Sequence, residues 1–212
     1  MDELRFTLLT DGPTDRALLP ILTWLIQQHS SRPLQNNWAE KVSMRSSFAE
    51  RIHTALELYP CELLFIHRDA ESNAQNAHAT RKQQIESAAV QICSPNQPYI
   101  CVVPVRMTEA WLLFNEAAIR RAAGNPNGRM PLSLPPSKRI EQLNDPKETL
   151  KELLVTASGF SSGRRLDKFK AGLSEAPYRV SDLIDDYNPL RHLSAFQAME
   201  SDLTALLQRQ NW

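Results

Sequence analysis

Short apolar runs alternate with longer amphipathic stretches along residues 4–122. The runs at residues 4–10, 61–66 and 99–105 are too short for free-standing helices and suit strands buried on both faces. A weaker strand is predicted at residues 38–44. Helices are predicted where apolar residues recur at helical spacing, at residues 16–28, 48–58, 81–92 and 109–122. This alternation predicts an α/β fold, a doubly wound and mostly parallel sheet flanked by helices.

The pattern changes beyond Gly124. Residues 125–136 hold four prolines and predict a loop or linker. Helices are predicted from there on, at residues 137–143, 146–157, 165–173, 178–187 and 194–210. We therefore divide the chain into an α/β domain, residues 1–124, and a Pro-rich linker with a helical C-terminal region, residues 125–212, packed on that domain.

Several single residues predict where elements end. Ser46 or Ser47 is placed to cap the helix at residues 48–58, and Thr108 and Ser194 to cap the helices that follow them. Pro104 cannot donate a ladder hydrogen bond, so the strand at residues 99–105 is predicted to lie at a sheet edge.

Composition excludes some classes of protein. The chain has 212 residues with 24 basic and 24 acidic side chains, so its net charge does not by itself indicate nucleic-acid binding. No apolar run approaches the roughly 18–20 residues of a membrane helix. The acidic N-terminus does not fit a signal peptide. The three cysteines form no CxxC pair and are interpreted as reduced core residues of a cytoplasmic protein.

Carboxylates follow three of the predicted strands. Asp11 follows the first, Asp69 and Glu71 the one at residues 61–66, and Glu109 the one at residues 99–105. Parallel strands end at one edge of a sheet, so these acids are expected to converge there. Asp69 and Glu71, two residues apart in extended backbone, would point to the same side and share one cation. Oxygen ligands select Mg²⁺ or Mn²⁺.

The sequence leaves an alternative to this metal site and an interpretation of the neighbouring histidine. The residues after the strand at residues 61–66 are equally consistent with a solvated turn. His67, beside the acids, is interpreted as a strand-end residue and not as a ligand.

Three segments resemble TOPRIM domains. Residues 10–15 (TDGPTD), followed by a Leu-rich helix, resemble their EGxTD opening, especially that of OLD-family nucleases. Residues 68–71 (RDAE) are similar to the DxD motif after the third strand. Residues 103–113 (VPVRMTEAWLL) resemble a vPv…EaWLL segment of small stand-alone bacterial TOPRIM-like proteins. The resemblance covers residues 4–115, and beyond them only length and helicity agree.

The resemblance implies hydrolysis of phosphodiester bonds in DNA or RNA with Mg²⁺ (or Mn²⁺). It implies that Asp69 and Glu71 hold the metal, with Asp11 as ligand or general base and Glu109 as outer ligand. Asp11 stands where the family usually has Glu, and Glu71 where it usually has Asp. One position thus has a shorter side chain than usual and the other a longer one. The two changes either compensate, so that both carboxylates still bind one metal, or indicate a site that has lost its function.

The resemblance also implies partners. Related proteins often act beside an ABC-type ATPase in phage defence, and this chain has no GxxxxGK[ST] motif of its own. A separate ABC/AAA-type ATPase is therefore the expected partner. A non-catalytic subunit that docks onto or regulates such an ATPase is the alternative to a nuclease. A phosphatase or phosphotransferase is weaker, because no nucleophile motif is visible.

Basic residues offer a surface for nucleic acid. Arg68 and Arg106, next to the acids, are expected to contact the scissile phosphate. Phe160 and Phe169 are interleaved with further basic residues and could stack on bases. The further basic residues predicted to bind nucleic acid are Arg164, Arg165, Lys168 and Lys170. The alternative is a solvated helix with Phe169 in the core.

Overall fold

The structure is a computed structural model that describes residues 3–72 and 76–212. In those ranges four parallel strands form one sheet in the order β2-β1-β3-β4. They are β1 (Leu4–Leu9), β2 (Leu34–Trp38), β3 (Leu63–His67) and β4 (Tyr99–Val102). The predicted α/β fold with a parallel sheet is confirmed. The first two residues of the acidic N-terminus lie outside the described residues, as do residues 73–75 of the polar stretch before the third helix.

Eight α-helices accompany the sheet in the described residues. They are α1 (Leu18–His29), α2 (Phe48–Leu58), α3 (Ala77–Ile92), α4 (Glu116–Ala122), α5 (Pro146–Ser158), α6 (Arg164–Ala171), α7 (Ala176–Asp182) and α8 (Ser194–Gln210). Short 3₁₀ segments precede several of them, at Pro13–Ala17, Thr108–Leu112, Ser137–Gln142, Leu173–Glu175 and Asn188–His192.

The sheet is covered on both faces. Leu63 and Phe65 of β3 belong to one apolar core, together with α1 and the C-terminal helices. Leu64 and Ile66 belong to a second core, with α2 and α3. Successive strand residues point to opposite faces, so burial on both sides requires the continuous apolar run seen in the sequence.

The C-terminal helices share the core of the α1 face. Trp111 is fully buried, and its ring meets that of Phe196 on α8 edge to face, with the centroids 5.3 Å apart. The hydroxyl of Ser181 on α7 donates to the carbonyl of Ala17, 2.6 Å away, and lies 2.9 Å from the Tyr187 hydroxyl. The helical region is thus fixed to the segment between β1 and α1.

Two local predictions are confirmed in detail. Ser47 caps α2: its hydroxyl accepts from the backbone of Glu50, whose carboxylate accepts from the Ser47 backbone in return. β4 lies at an edge of the sheet, as Pro104 indicated.

Two predicted elements are wrong in position. The second strand lies at Leu34–Trp38 and not at residues 38–44. It is an edge strand with exposed polar side chains, held to β1 by backbone pairing that leaves no apolar pattern. The single helix predicted at residues 109–122 is divided, because the Asn115 side chain accepts from the backbone of Ala118 and starts α4 there.

Two predicted helix caps are also wrong. The Thr108 hydroxyl makes no cap and lies instead 3.3 Å from His67 Nε2. Ser194 is the first residue of α8, and the Glu141 carboxylate accepts from the backbone of Ser194 and Ala195. The N-terminus of α8 is therefore capped by a carboxylate from another segment and not by the local hydroxyl.

Candidate metal centre

The carboxyl edge of the sheet gathers polar residues from three strand ends. They are Asp11, Asp15, His67, Asp69, Thr108 and Glu109. The first two follow β1, the next two end and follow β3, and the last two begin the 3₁₀ segment after β4. Parallel strands present these ends on the same side, where open α/β sheets bind ligands.

His67 lies at the centre of this group and is fully buried. Its Nε2 atom lies 3.5 Å from Asp15 Oδ2, 3.4 Å from Asp69 Oδ1 and 3.3 Å from Thr108 Oγ1. One potential ligand atom from each of Asp15, His67 and Asp69 lies within 4.8 Å of the others. We call these three residues the acidic cluster.

The backbone of β4 orients the His67 ring. Nδ1 lies 3.0 Å from the carbonyl oxygen of Val102, to which it donates, so Nε2 faces the two carboxylates. Metal-binding histidines are commonly held in this way, with the second ring N–H on a carbonyl. The same geometry suits a protonated ring paired with carboxylates, and proton and metal would compete for the site.

The electrostatics of the cluster favour a cation. Burial alone would lower the pKa of His67, but the hydrogen bond and charge of Asp15, together with the charge of Asp69, raise it to about 9. Burial raises the pKa of Asp69 to about 7, with the charge of His67 opposing and those of Asp15 and Glu109 adding. Both groups therefore hold their protons more tightly than they would in water, His67 because of its carboxylate neighbours and Asp69 chiefly because it is buried.

Glu109 adds a buried acceptor beside the cluster. Its side chain is 3% exposed, and Oε1 has no hydrogen-bond partner in the part of the chain that the structure describes. Burial raises the pKa of Glu109, and the charge of Asp15 adds to this, while that of Lys147 opposes it. A buried carboxylate oxygen without a donor is costly, so this atom is suited to a cation or a ligand donor.

The donor set fits a divalent cation. Carboxylate oxygens suit Mg²⁺ and Mn²⁺, whereas imidazole nitrogen suits later transition metals. Two carboxylates with one imidazole combine both preferences, so the set suits a divalent cation.

Asp11, a predicted ligand, is bound by two arginines. Its Oδ1 lies 2.9 Å from Arg51 Nη1 and its Oδ2 lies 2.9 Å from Arg68 Nε. Arg51 is 5% exposed and also donates to the carbonyl of Thr10. Burial raises the pKa of Asp11, but the hydrogen bonds from Arg68 and Arg51 outweigh it and bring the pKa below its ordinary value. Asp11 is thus neutralised by its own neighbours.

Glu71, the other predicted ligand, lies outside the acidic cluster. Its side chain is 74% exposed and Oε2 lies 2.9 Å from Arg81 Nη2. The backbone of Glu71 has φ 60°, in the left-handed region, and not the extended conformation that would align its side chain with that of Asp69. Of the three predicted ligands, Asp69 is the one that lies in the cluster.

The predicted nucleic-acid-binding residues lie in three places. Arg68 is bound to Asp11, as described above. Arg106 has φ 62° and donates to the carbonyl of Asn144, 2.8 Å away. The other four lie on α6, a helix without a buried residue: Arg164, Arg165, Lys168 and Lys170.

Two residues of the cluster were not chosen as ligands from the sequence. Asp15 ends the TDGPTD segment, four residues after Asp11, and that spacing was the available signal. His67 was interpreted as a strand-end residue, which it is, but its ring turns toward the acids. Neither the 3₁₀ turn that carries Asp15 nor the ring orientation follows from periodicity.

Comparison of the chain with protein-family models, with curated proteins and with solved structures finds no match. Across residues 3–72 and 76–212, no helix is long and apolar enough to cross a membrane. Functional inference therefore depends on the geometry of the acidic cluster and on the residues around it.

Proposed function

We propose that the protein is a metal-dependent nuclease of TOPRIM type that hydrolyses phosphodiester bonds in DNA or RNA, using Mn²⁺ or Mg²⁺. The observation that carries the proposal is the acidic cluster at the carboxyl edge of the parallel sheet. Asp15 and Asp69 come from the two segments, TDGPTD and RDAE, that resemble TOPRIM motifs. Their ligand atoms, with that of His67, lie close enough for one cation.

The residues divide the chemical work. Asp15, His67 and Asp69 would hold the cation, which when bound neutralises the phosphate and activates water. Glu109, with an unpaired oxygen and a raised pKa, is the group placed to accept a proton from that water. The Val102 carbonyl accepts from Nδ1 of His67 and so keeps Nε2 of the ring directed at the two carboxylates.

Asp11 has a positioning role in this proposal. By accepting from both Arg51 and Arg68 it fixes two guanidinium groups next to the acidic cluster. A guanidinium in a fixed orientation suits a phosphate group. Arg68, 25% exposed along its side chain, is the better placed of the two to contact substrate.

A non-catalytic subunit that regulates a separate ATPase is the second candidate. Its support is that Asp11 and Glu71, both expected as ligands, are engaged by arginines. In that case the pairing of His67 with Asp15 and Asp69 serves stability alone. Nucleic acid and an ABC/AAA-type ATPase as partners, and a role in phage defence, belong to the proposal through the TOPRIM resemblance. A cytoplasmic location belongs to it through the three free cysteines.

Metal binding and hydrolysis by matched variants distinguish the two functions. We expect calorimetry to show Mn²⁺ binding by the wild type and its loss in Asp15→Asn and Asp69→Asn. The same variants should lose at least a hundredfold in hydrolysis of DNA or RNA. Asp185→Asn is the control, because that carboxylate is 94% exposed. A wild type that binds no Mn²⁺ would favour the regulatory subunit.

A further inference from the structure

A cleft of about 880 Å³ opens beside the acidic cluster. One side of it is α5, and the other is the end of α6 with the segment that follows. Thr14, the chain neighbour of Asp15, lines the cleft, and so does Glu109. The cleft and the acidic cluster therefore share a wall.

The lining combines apolar side chains with charges of both signs, three lysines and three glutamates, of which Lys151 and Glu148 pair with each other. Leu150, Leu154 and Leu173 supply apolar surface. Among the lysines, Lys147 on α5 and Lys170 on α6 have no ion-pair partner among residues 3–72 and 76–212. The leucines and the two unpaired lysines suit a ligand with a planar apolar part and an anionic part, and the Glu152 carboxylate suits hydrogen-bond donors on that ligand.

Glu109 is a buried polar side chain in the wall of the cleft. It is 97% buried, since its exposed fraction is 3%, and its Oε1 has no partner in the described chain. The side chain lines the cleft while lying within electrostatic reach of Asp15 and Asp69. A ligand in the cleft would thus meet the acidic cluster at this wall.

We propose that the cleft receives one nucleotide unit of a single strand, with its base against the leucines and its phosphate at Lys147 and Lys170. This inference rests on the proposed nuclease function and names its substrate class. The cleft volume lies in the range of about 300–1,000 Å³ usual for small-ligand sites. A base in a duplex must first be unpaired and unstacked to enter such a cleft, so a single strand is the favoured ligand.

The basic helix α6 leads to the same cleft. Lys170 belongs both to the basic residues of α6 and to the cleft lining. The ring of Phe169 on that helix packs edge to face against the ring of Phe160, with centroids 5.9 Å apart, and Phe160 is 37% exposed. An exposed aromatic ring beside a row of cations is the usual surface for single strands. The strand beyond the bound nucleotide would therefore run along α6.

Fluorescence anisotropy with labelled oligonucleotides in EDTA tests the inference without hydrolysis. We expect a linear single strand to bind at least tenfold more tightly than the duplex of the same sequence. Ala171→Trp places a large ring on the exposed wall of the cleft and should weaken single-strand binding at least tenfold. Ala117→Trp, at an exposed position of α4 outside the cleft, should bind as the wild type does.

Two further measurements make the test independent of folding defects in one variant. Lys147→Ala with Lys170→Ala should weaken binding and reduce its salt dependence, whereas the exposed Lys138→Ala should do neither. Equal affinity for duplex and single strand, or wild-type binding by Ala171→Trp, would overturn the inference. So would binding of a free mononucleotide but of no oligonucleotide.

The inference and the proposed function can fail separately. If Asp69→Asn abolishes hydrolysis while Ala171→Trp leaves binding unchanged, the cleft is not the substrate site and the nuclease function stands. If single strands bind in the cleft and no hydrolysis occurs with Mn²⁺, the cleft assignment stands and the nuclease function is rejected.

Discussion

Replacing Asp69 with asparagine tests whether the acidic cluster stores repulsion that a cation relieves. Asparagine keeps the shape of the side chain and removes its charge. The rise of the Asp69 pKa from 3.8 to about 7 corresponds to a cost on the order of 4 kcal/mol for the ionised form. Burial is the largest cause of this cost, and repulsion from Asp15 and Glu109 adds to it. The side chain is 27% exposed, so water reduces the cost. We expect the free energy of unfolding of the metal-free variant at pH 8 to be about 1–2 kcal/mol higher than that of the wild type. The melting temperature should be about 2–8 °C higher.

The pH dependence of the metal-free protein follows from the same shifts. The folded-state pKa of Asp69 lies above its ordinary value, so between about pH 4 and 7 the folded protein binds more protons than the unfolded chain. The raised pKa of His67 has the same effect between about pH 6.5 and 9. The free energy of unfolding should therefore fall as pH rises through both windows. Asp69→Asn should reduce the fall in the lower one, and the raised pKa of Glu109 should keep part of it.

Metal supplies the decisive comparison. Mn²⁺ at a hundred times its dissociation constant should raise the free energy of unfolding of the wild type by about 2.7 kcal/mol. Scanning calorimetry at pH 8, with EDTA and then with Mn²⁺, should show a rise of about 5–10 °C in melting temperature. Asp69→Asn should lose most of this rise, and Asp185→Asn should keep it. A wild type without a Mn²⁺ shift, matched by Asp69→Asn in EDTA, would refute the reasoning.

Three other changes have defined outcomes. Asp11→Asn leaves the buried Arg51 without its carboxylate and should lower the free energy of unfolding in urea at pH 7 by about 2–3 kcal/mol. Because the pKa of Asp11 is lowered, this difference from the wild type should shrink as pH falls below 3.8. A difference that stays constant with pH would contradict this. Reversing the charge of Arg164 and Arg165 should weaken nucleic-acid binding and flatten its salt dependence, and an unchanged slope would mean that α6 does not contact phosphates. Glu141→Ala removes the acceptor at the start of α8 and should lower the free energy of unfolding by about 1 kcal/mol without altering the Mn²⁺ shift, which thermal unfolding can check.

Elements set by local chemistry were predictable from the sequence. β3 is buried on both faces, so its apolar run is continuous and visible. α2 begins at a Ser47–Glu50 capping box, which involves residues three apart. The position of Asp69 at the carboxyl edge followed from strand order alone, because parallel strands end on one side.

Features set by long-range partners were not predictable. β2 is held by backbone bonds to β1, and these leave no trace in its side chains. Asp11 looked like a free ligand because Arg51, forty residues away in sequence, arrives from a helix whose rotation the pattern does not fix. The left-handed backbone of Glu71 broke the two-residue alternation on which its pairing with Asp69 depended.

The hydrogen bond from Ser181 to Ala17 has a consequence for how the protein is made. It joins residues 164 positions apart, and α7 thereby packs on the turn that carries Asp15. On the ribosome the sheet strands emerge long before Ser181 and Tyr187, and chains grow at about 5–20 residues per second. The turn bearing Asp15 thus gains its support seconds after the strands are complete, so the nascent α/β half lacks a supported acidic cluster while the C-terminal helices are being synthesised.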